Sequence, residues 1–205
     1  MPIFYPHQPQ SPAHRQGERR VLDAFQVLPP ETRVFVGVHL PDPENPAGSL
    51  DLPLVVADPD LGLVIVNVLP DGVEPRRGGQ WLGRNAAGDT APLEQSPADA
   101  LQAQQNALFK YLKGLDLAFI PRITQVLALP GLSLEPGRAL GPRLPACRLL
   151  TEEKLGNPYI SLRMAVTGGK TWTEWSTTPL AGQFAIGGAT MAPLAGALGK
   201  VSPGF

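Results

Sequence analysis

Residues 51–70, DLPLVVADPDLGLVIVNVLP, constrain this chain more than any other stretch. Leu52, Leu54 and Val56 recur at every second position, the period of a strand. Asp58-Pro59-Asp60-Leu61-Gly62 then turns the chain with residues that favour turns. Residues 63–68 form a near-continuous β-branched run, the pattern of a strand buried on both faces. Together they predict a β-hairpin.

Around the hairpin the chain reads as mixed α/β. Residues 14–28 predict a helix, with Val21, Leu22, Phe25 and Leu28 on one face and Pro29-Pro30 as the stop. Residues 33–40 predict a strand with His39 at its end, in a structural role. Residues 73–82 predict an irregular strand with a Gly-Gly turn, and 83–90 a polar turn. Residues 96–115 predict a helix opened by Ser96 with Asp99 three residues on, and by Pro97 at the first helical position. Leu101, Leu108, Leu112 and Leu115 line one side of it, while Gln102, Gln104 and Gln105 read as ordinary helix surface. Residues 123–129 predict a strand, 147–150 a last short strand, and Thr151 and Asn157 the caps of two helical stretches.

Three segments follow: an extended, Pro-rich arm over residues 1–13, a body over 14–155, and a helical, Gly-rich extension over 156–205. Phe4 and Tyr5 are placed to dock the arm on the body. Residues 180–198 carry no charge, but their Gly, Thr, Gln and Pro make a poor membrane span. A small-residue helical pair packing on the body or on a partner is expected there. Residues 196–200 lack the Gly and Ser/Thr that a phosphate loop needs at Leu194 and Val201.

Composition narrows the chemistry. Only 17% of the residues are charged and the net charge is −1, so any nucleic-acid contact must come from a local patch. Arg15, Arg19 and Arg20 on the first helix and Arg76-Arg77 after the hairpin are the two basic spots. One cysteine, Cys147, excludes an intrachain disulfide and a cysteine zinc site. His7, His14 and His39 lack ligand spacing. The first residues have no apolar run of a signal peptide, and a cytoplasmic location without membrane contact is expected.

The hairpin resembles the core of the nuclease-related domain (NERD), a branch of the PD-(D/E)xK nuclease superfamily, whose members read like E-I-D-F-x-x-x-x-P-x-x-G-x-x-x-x-E-x-K. Aligned on Pro59 and Gly62, Asp51 falls at the leading acid, Pro53 at the catalytic Asp, Asn67 at the catalytic Glu and Leu69 at the catalytic Lys. Gly17-Glu18 matches the pair that opens the family, Gly79-Gln80-Trp81 its x-G-x-W step, and Pro130-Gly131 the step after its last core strand. Ser96-Pro97 matches the start of its N-P-x-x-Q helix, which puts Ala100 where Gln is expected; a register on Pro92 restores Gln95 but makes the helix too long. The resemblance covers residues 16–155. It implies a restriction-endonuclease-like core: a helix, a central mixed sheet with the hairpin, a helix and a strand.

In such a site two carboxylates hold a hard divalent cation, and the metal and Lys activate water on a phosphodiester. Pro53 has no ligand atom, Asn67 offers a neutral carbonyl and Leu69 carries no charge. The expectation is a pseudonuclease with no catalytic residue, metal or cofactor, contacting DNA through Arg15, Arg19, Arg76 and Arg77. Two alternatives stay open. One is a structural subunit without DNA binding, meeting a DNA-processing protein or its own copy through the C-terminal extension. The other is an active Mg²⁺-dependent deoxyribonuclease with a migrated site on Glu18 and Asp51; Asp58 and Asp60 read as turn formers instead.

Overall fold

The structure, a computed structural model, describes residues 1–5, 12–41, 49–76, 80–84, 88–115, 117, 120–133, 144–168 and 188–201. In chain order these form β1 (Ile3–Tyr5), α1 (Pro12–Phe25), β2 (Arg33–Pro41), β3 (Ser49–Asp58), β4 (Gly62–Val68), β5 (Glu74–Pro75), β6 (Trp81–Arg84), β7 (Thr90–Pro92), α2 (Pro97–Lys113) and β8 (Ile123–Leu129). A 3₁₀ turn at Ala146–Arg148, β9 (Leu149–Thr151), α3 (Glu152–Leu155), α4 (Pro158–Thr167) and α5 (Gly188–Lys200) complete them.

Six strands make the main sheet in the order β1-β2-β3-β4-β8-β9. The β2–β3–β4 meander is antiparallel, whereas β1 joins β2, β8 joins β4 and β9 joins β8 in parallel. A parallel pair needs a crossover, and α2 lies in the one between β4 and β8.

The β-branched run explains the layering. Every residue of β4 except Asn67 is buried. Leu63 and Ile65 join the core beneath Leu101, Leu108 and Leu112 of α2. Val64, Val66 and Val68 join a second core with Val21 and Phe25 of α1 and Leu162, Ala165 and Val166 of α4. Each such side chain contributes about 1.5–3 kcal/mol on burial, so both faces must be covered. At the hairpin tip Asp58 Oδ1 accepts from the amides of Asp60 (2.9 Å) and Leu61 (3.2 Å), and Gly62 takes φ 77°. Asp58 and Asp60 are the turn formers that the sequence suggested.

Several boundaries differ from expectation, each for a local reason. The first helix ends at Phe25, and Leu28 instead closes a turn through its amide to the Phe25 carbonyl (3.1 Å). The arm is partly a strand: Ile3–Tyr5 pairs with β2, and Tyr5 stacks on Phe35 at 4.5 Å. The irregular strand at 73–82 is split between β5 and β6, which with β7 form a separate three-stranded sheet, so part of the polar turn at 83–90 is strand as well. Cys147 sits in the 3₁₀ turn, and the last strand starts two residues later. Thr151 precedes α3 as expected, but its hydroxyl donates to Glu153 (2.9 Å) and makes no cap to a backbone amide.

Of the C-terminal extension, α4 and α5 are described; Trp172 and Trp175 lie outside the described residues. Leu194 and Leu198 of α5 are fully buried against the α2 side. Tyr111 Oη donates to the Ala197 carbonyl (3.1 Å), and burial holds its pKa above the ordinary value. The His39 amide donates to the Val201 carbonyl (2.9 Å), which covers the outer edge of β2 beyond β1. Among the described residues no helix is long and apolar enough to cross a membrane.

Candidate functional site

Of the positions singled out by the sequence, Pro53 and Asn67 lie where the pairing of β3 with β4 ends. That pairing runs from Asp58–Gly62 to Leu54–Val66 and stops one residue short of Pro53. Proline has no amide hydrogen for a rung. On the other side of β3 the pairing steps from Val36–Leu54 to Val38–Leu52, skipping Pro53 and Gly37, and Gly37 takes φ 63°. A residue with a Cβ resists that conformation. The strands change face together at this point. Val36 and Leu54 belong to the α1 core, while Val38, Leu40 and Leu52, at the same parity, belong to the α2 core.

Beyond the bend, alternation turns Asp51 away from the α2 core. Asp51 is opposite His39 in the register, and its carboxylate pairs with His39 Nδ1. The side chains are 44% and 30% exposed, so the pair faces water. From α2, Gln104 donates Nε2 to the Asp51 carbonyl (2.9 Å). Gln104 is not helix surface: it is 7% exposed, and its Oε1 is buried without a partner. Gln105 is also committed, donating to the Ile123 carbonyl (3.0 Å) and accepting from Gln125 (2.8 Å). Ala100 is half-buried one helical turn before Gln104, so an amide does face this region, four residues later than the resemblance placed it.

On β4, Asn67 is half-buried at the parity of Leu63 and Ile65. Leu69, where the resemblance expects Lys, is 9% exposed and packs in the α2 core with Val73 and Trp81. Trp81 is a packing residue at 5% exposure. Glu18 is half-buried on α1. Its neighbour Gly17 lets the helix approach: a Cβ there would meet Pro130 Cγ at 3.2 Å and the Leu69 carbonyl oxygen at 3.5 Å.

The donor set does not fit a divalent cation. Pro53 and Leu69 offer no ligand atom, Asn67 offers only neutral ones, and Asp51 is paired with His39. Among the described residues no group of three His, Cys, Asp or Glu could hold a metal ion.

Arg19 and Arg76 are exposed. Arg20 anchors α1 to the ends of β4 and β8, with Nη1 3.4 Å from the Pro130 carbonyl oxygen and 3.8 Å from Asp71. Arg15 lies on α1, but its side chain is outside the described residues, as are Arg77 and Gly79.

Two features escaped the sequence reading. The His39–Asp51 pair depends on the β2–β3 register, for which facing residues of opposite polarity in adjoining strands are the only signal. Gln104 depends on how α2 lies over the bend, and its signal is the helical spacing from Leu101 and Leu108, which places it on the buried side.

Comparison with protein-family models, with curated proteins and with solved structures finds no match.

Proposed function

We propose that this chain is a catalytically degenerate nuclease-like domain that serves as a non-cleaving DNA-binding or DNA-processing accessory module. The chain order supports a restriction-endonuclease-like core. A helix leads into an antiparallel meander, a second helix follows, and the next strand joins the meander in parallel, which is the order the resemblance implies. The observation that carries the loss of cleavage is Leu69. It falls where the resemblance expects the catalytic Lys, and it is part of the hydrophobic core. A cation could not replace it there without burying an unpaired charge. With Pro53 and Asn67 in place of acids, no carboxylate at those positions repels a phosphate, and binding can outlast catalysis.

The test is a fluorescence titration of the full chain against labelled single- and double-stranded DNA, with a salt series and Mg²⁺ present. The samples are then run on a denaturing gel. Expected are intact DNA and an affinity that falls with salt at a log–log slope of about −0.9 per phosphate neutralised on duplex. Cut DNA, abolished by Asp51→Ala, would instead place the metal on Glu18 and Asp51. Absence of binding at low salt removes the DNA reading.

A second reading, a structural subunit that contacts a protein partner, is favoured by α4. Ile160 and Met164 lie four residues apart on that helix and are 54% and 39% exposed, which sets two large apolar side chains side by side on the surface.

A further inference from the structure

At the opposite end of β8 from Asn67 and Leu69 lies a groove of about 520 Å³ between α2 and the start of β8. That volume is in the range of about 300–1,000 Å³ typical of small-molecule sites. Its walls combine three chemistries. Phe109 of α2, two residues on from the buried Ala107 and so turned away from the core, is 43% exposed. Arg122 and Arg148 line the groove from the β8 and β9 sides, and among the described lining residues none is acidic. Lys113 places its ammonium 5.4 Å from the centre of the Phe109 ring, adding a third cation at the rim.

The amides complete the site. Gln105 is fixed by the Ile123 carbonyl and by Gln125, so that wall is rigid. Asn106 beside it has its Oδ1 held by Gln102 Nε2 (3.1 Å), which orients the amide plane. A ligand that uses all of this has a flat aromatic body for Phe109, polar ring edges for Asn106 and an anionic group for the arginines. Stacking on an exposed aromatic and charge-assisted bonds to guanidinium groups are how proteins hold the base and the phosphate of a nucleotide.

We propose that this groove binds a nucleotide unit, with its heterocycle on Phe109 and its phosphate on Arg122 and Arg148. The inference does not rest on the nuclease-like reading, because no residue of the groove lies at the parted end of β3 and β4.

The test is isothermal titration of the full chain at low salt with adenosine monophosphate, adenosine and inorganic phosphate. Saturable binding of adenosine monophosphate is expected, at least about tenfold tighter than either fragment. Phe109→Ala should weaken it about tenfold and leave phosphate binding unchanged. The double change Arg122→Gln with Arg148→Gln should abolish it, while Arg19→Gln, outside the groove, should change nothing. All four side chains lie at the surface or half-buried, and an unchanged melting temperature checks folding. An eight-residue oligothymidylate separates the two sources of the ligand. Binding more than about tenfold tighter than thymidine monophosphate, and weakened by Phe109→Ala, assigns the groove to single-stranded nucleic acid. Equal affinities assign it to free nucleotides. No saturation by any nucleotide, equal affinity for phosphate alone, or an unchanged Phe109→Ala variant overturns the proposal. Loss of duplex binding with this groove intact would overturn only the reading of the preceding section.

Discussion

Asp58 shows how one side chain can hold the tip of a hairpin and tie it to the residue that leads into β2. Buried at 2% exposure, it takes the Thr32 hydroxyl on one oxygen and two turn amides on the other. Tyr159 of α4 approaches the same tip and donates its hydroxyl to Asp60 (3.3 Å). Burial first, then the charges of Asp58 and Asp60, push the Tyr159 pKa from 10.0 up to about 12. The sign follows from linkage: the folded state holds the phenolic proton more tightly than the unfolded one. Its contribution to stability is complete below pH 10 and is lost as pH rises from about 10 to about 12. Melting temperatures across that window should fall more steeply for the parent chain than for Tyr159→Phe. Parallel curves for the two proteins would show that the phenol is not coupled to folding.

At the scale of elements, a pair of amides fastens α2 to the sheet. Gln125, 8% exposed in β8, donates to the Leu101 carbonyl (2.9 Å) and to Gln105 Oε1 (2.8 Å). Gln125→Leu keeps the volume but leaves the buried Leu101 carbonyl and the half-buried Gln105 Oε1 each one donor short, so a loss of about 1–3 kcal/mol is expected from urea unfolding. A change below about 0.5 kcal/mol would mean the acceptors find water instead. Much at this scale was legible in the sequence because it is local. The β-branched run of β4, the Asp58–Gly62 turn, and the Ser96 cap, whose Oγ accepts from the Ala98 amide at 3.3 Å, all declare themselves within a few residues. The bend did not, since it needs Gly37 and Pro53 to meet across two strands. The partner of Gln104 is hidden for the same reason: helical spacing places the side chain on the buried side, but the Asp51 carbonyl it meets depends on a bend in another element. The groove is assembled from α2, the residues before β8 and the 3₁₀ turn, and no single stretch announces it.

The whole molecule is closed by α5 along one edge of the sheet. Leu194 and Leu198 are fully buried, and the contacts to Tyr111 and the His39 amide tie the helix to α2 and β2. A chain ending at residue 187 should lose about 3–6 kcal/mol, from burial of the two leucines alone at about 1.5–3 kcal/mol each. Urea midpoints of the two lengths measure this, and equal midpoints would mean α5 is dispensable to the fold. The parallel pairing of β4 with β8 has another consequence, for biosynthesis. On the ribosome β4 emerges about sixty residues before its partner, which at about 5–20 residues per second is a wait of roughly 3–12 s. Throughout that time the nascent chain displays a β-branched strand with an open edge, the kind of segment that seeds aggregation. The yield of native protein in a cell therefore depends on what shelters that strand until β8 arrives.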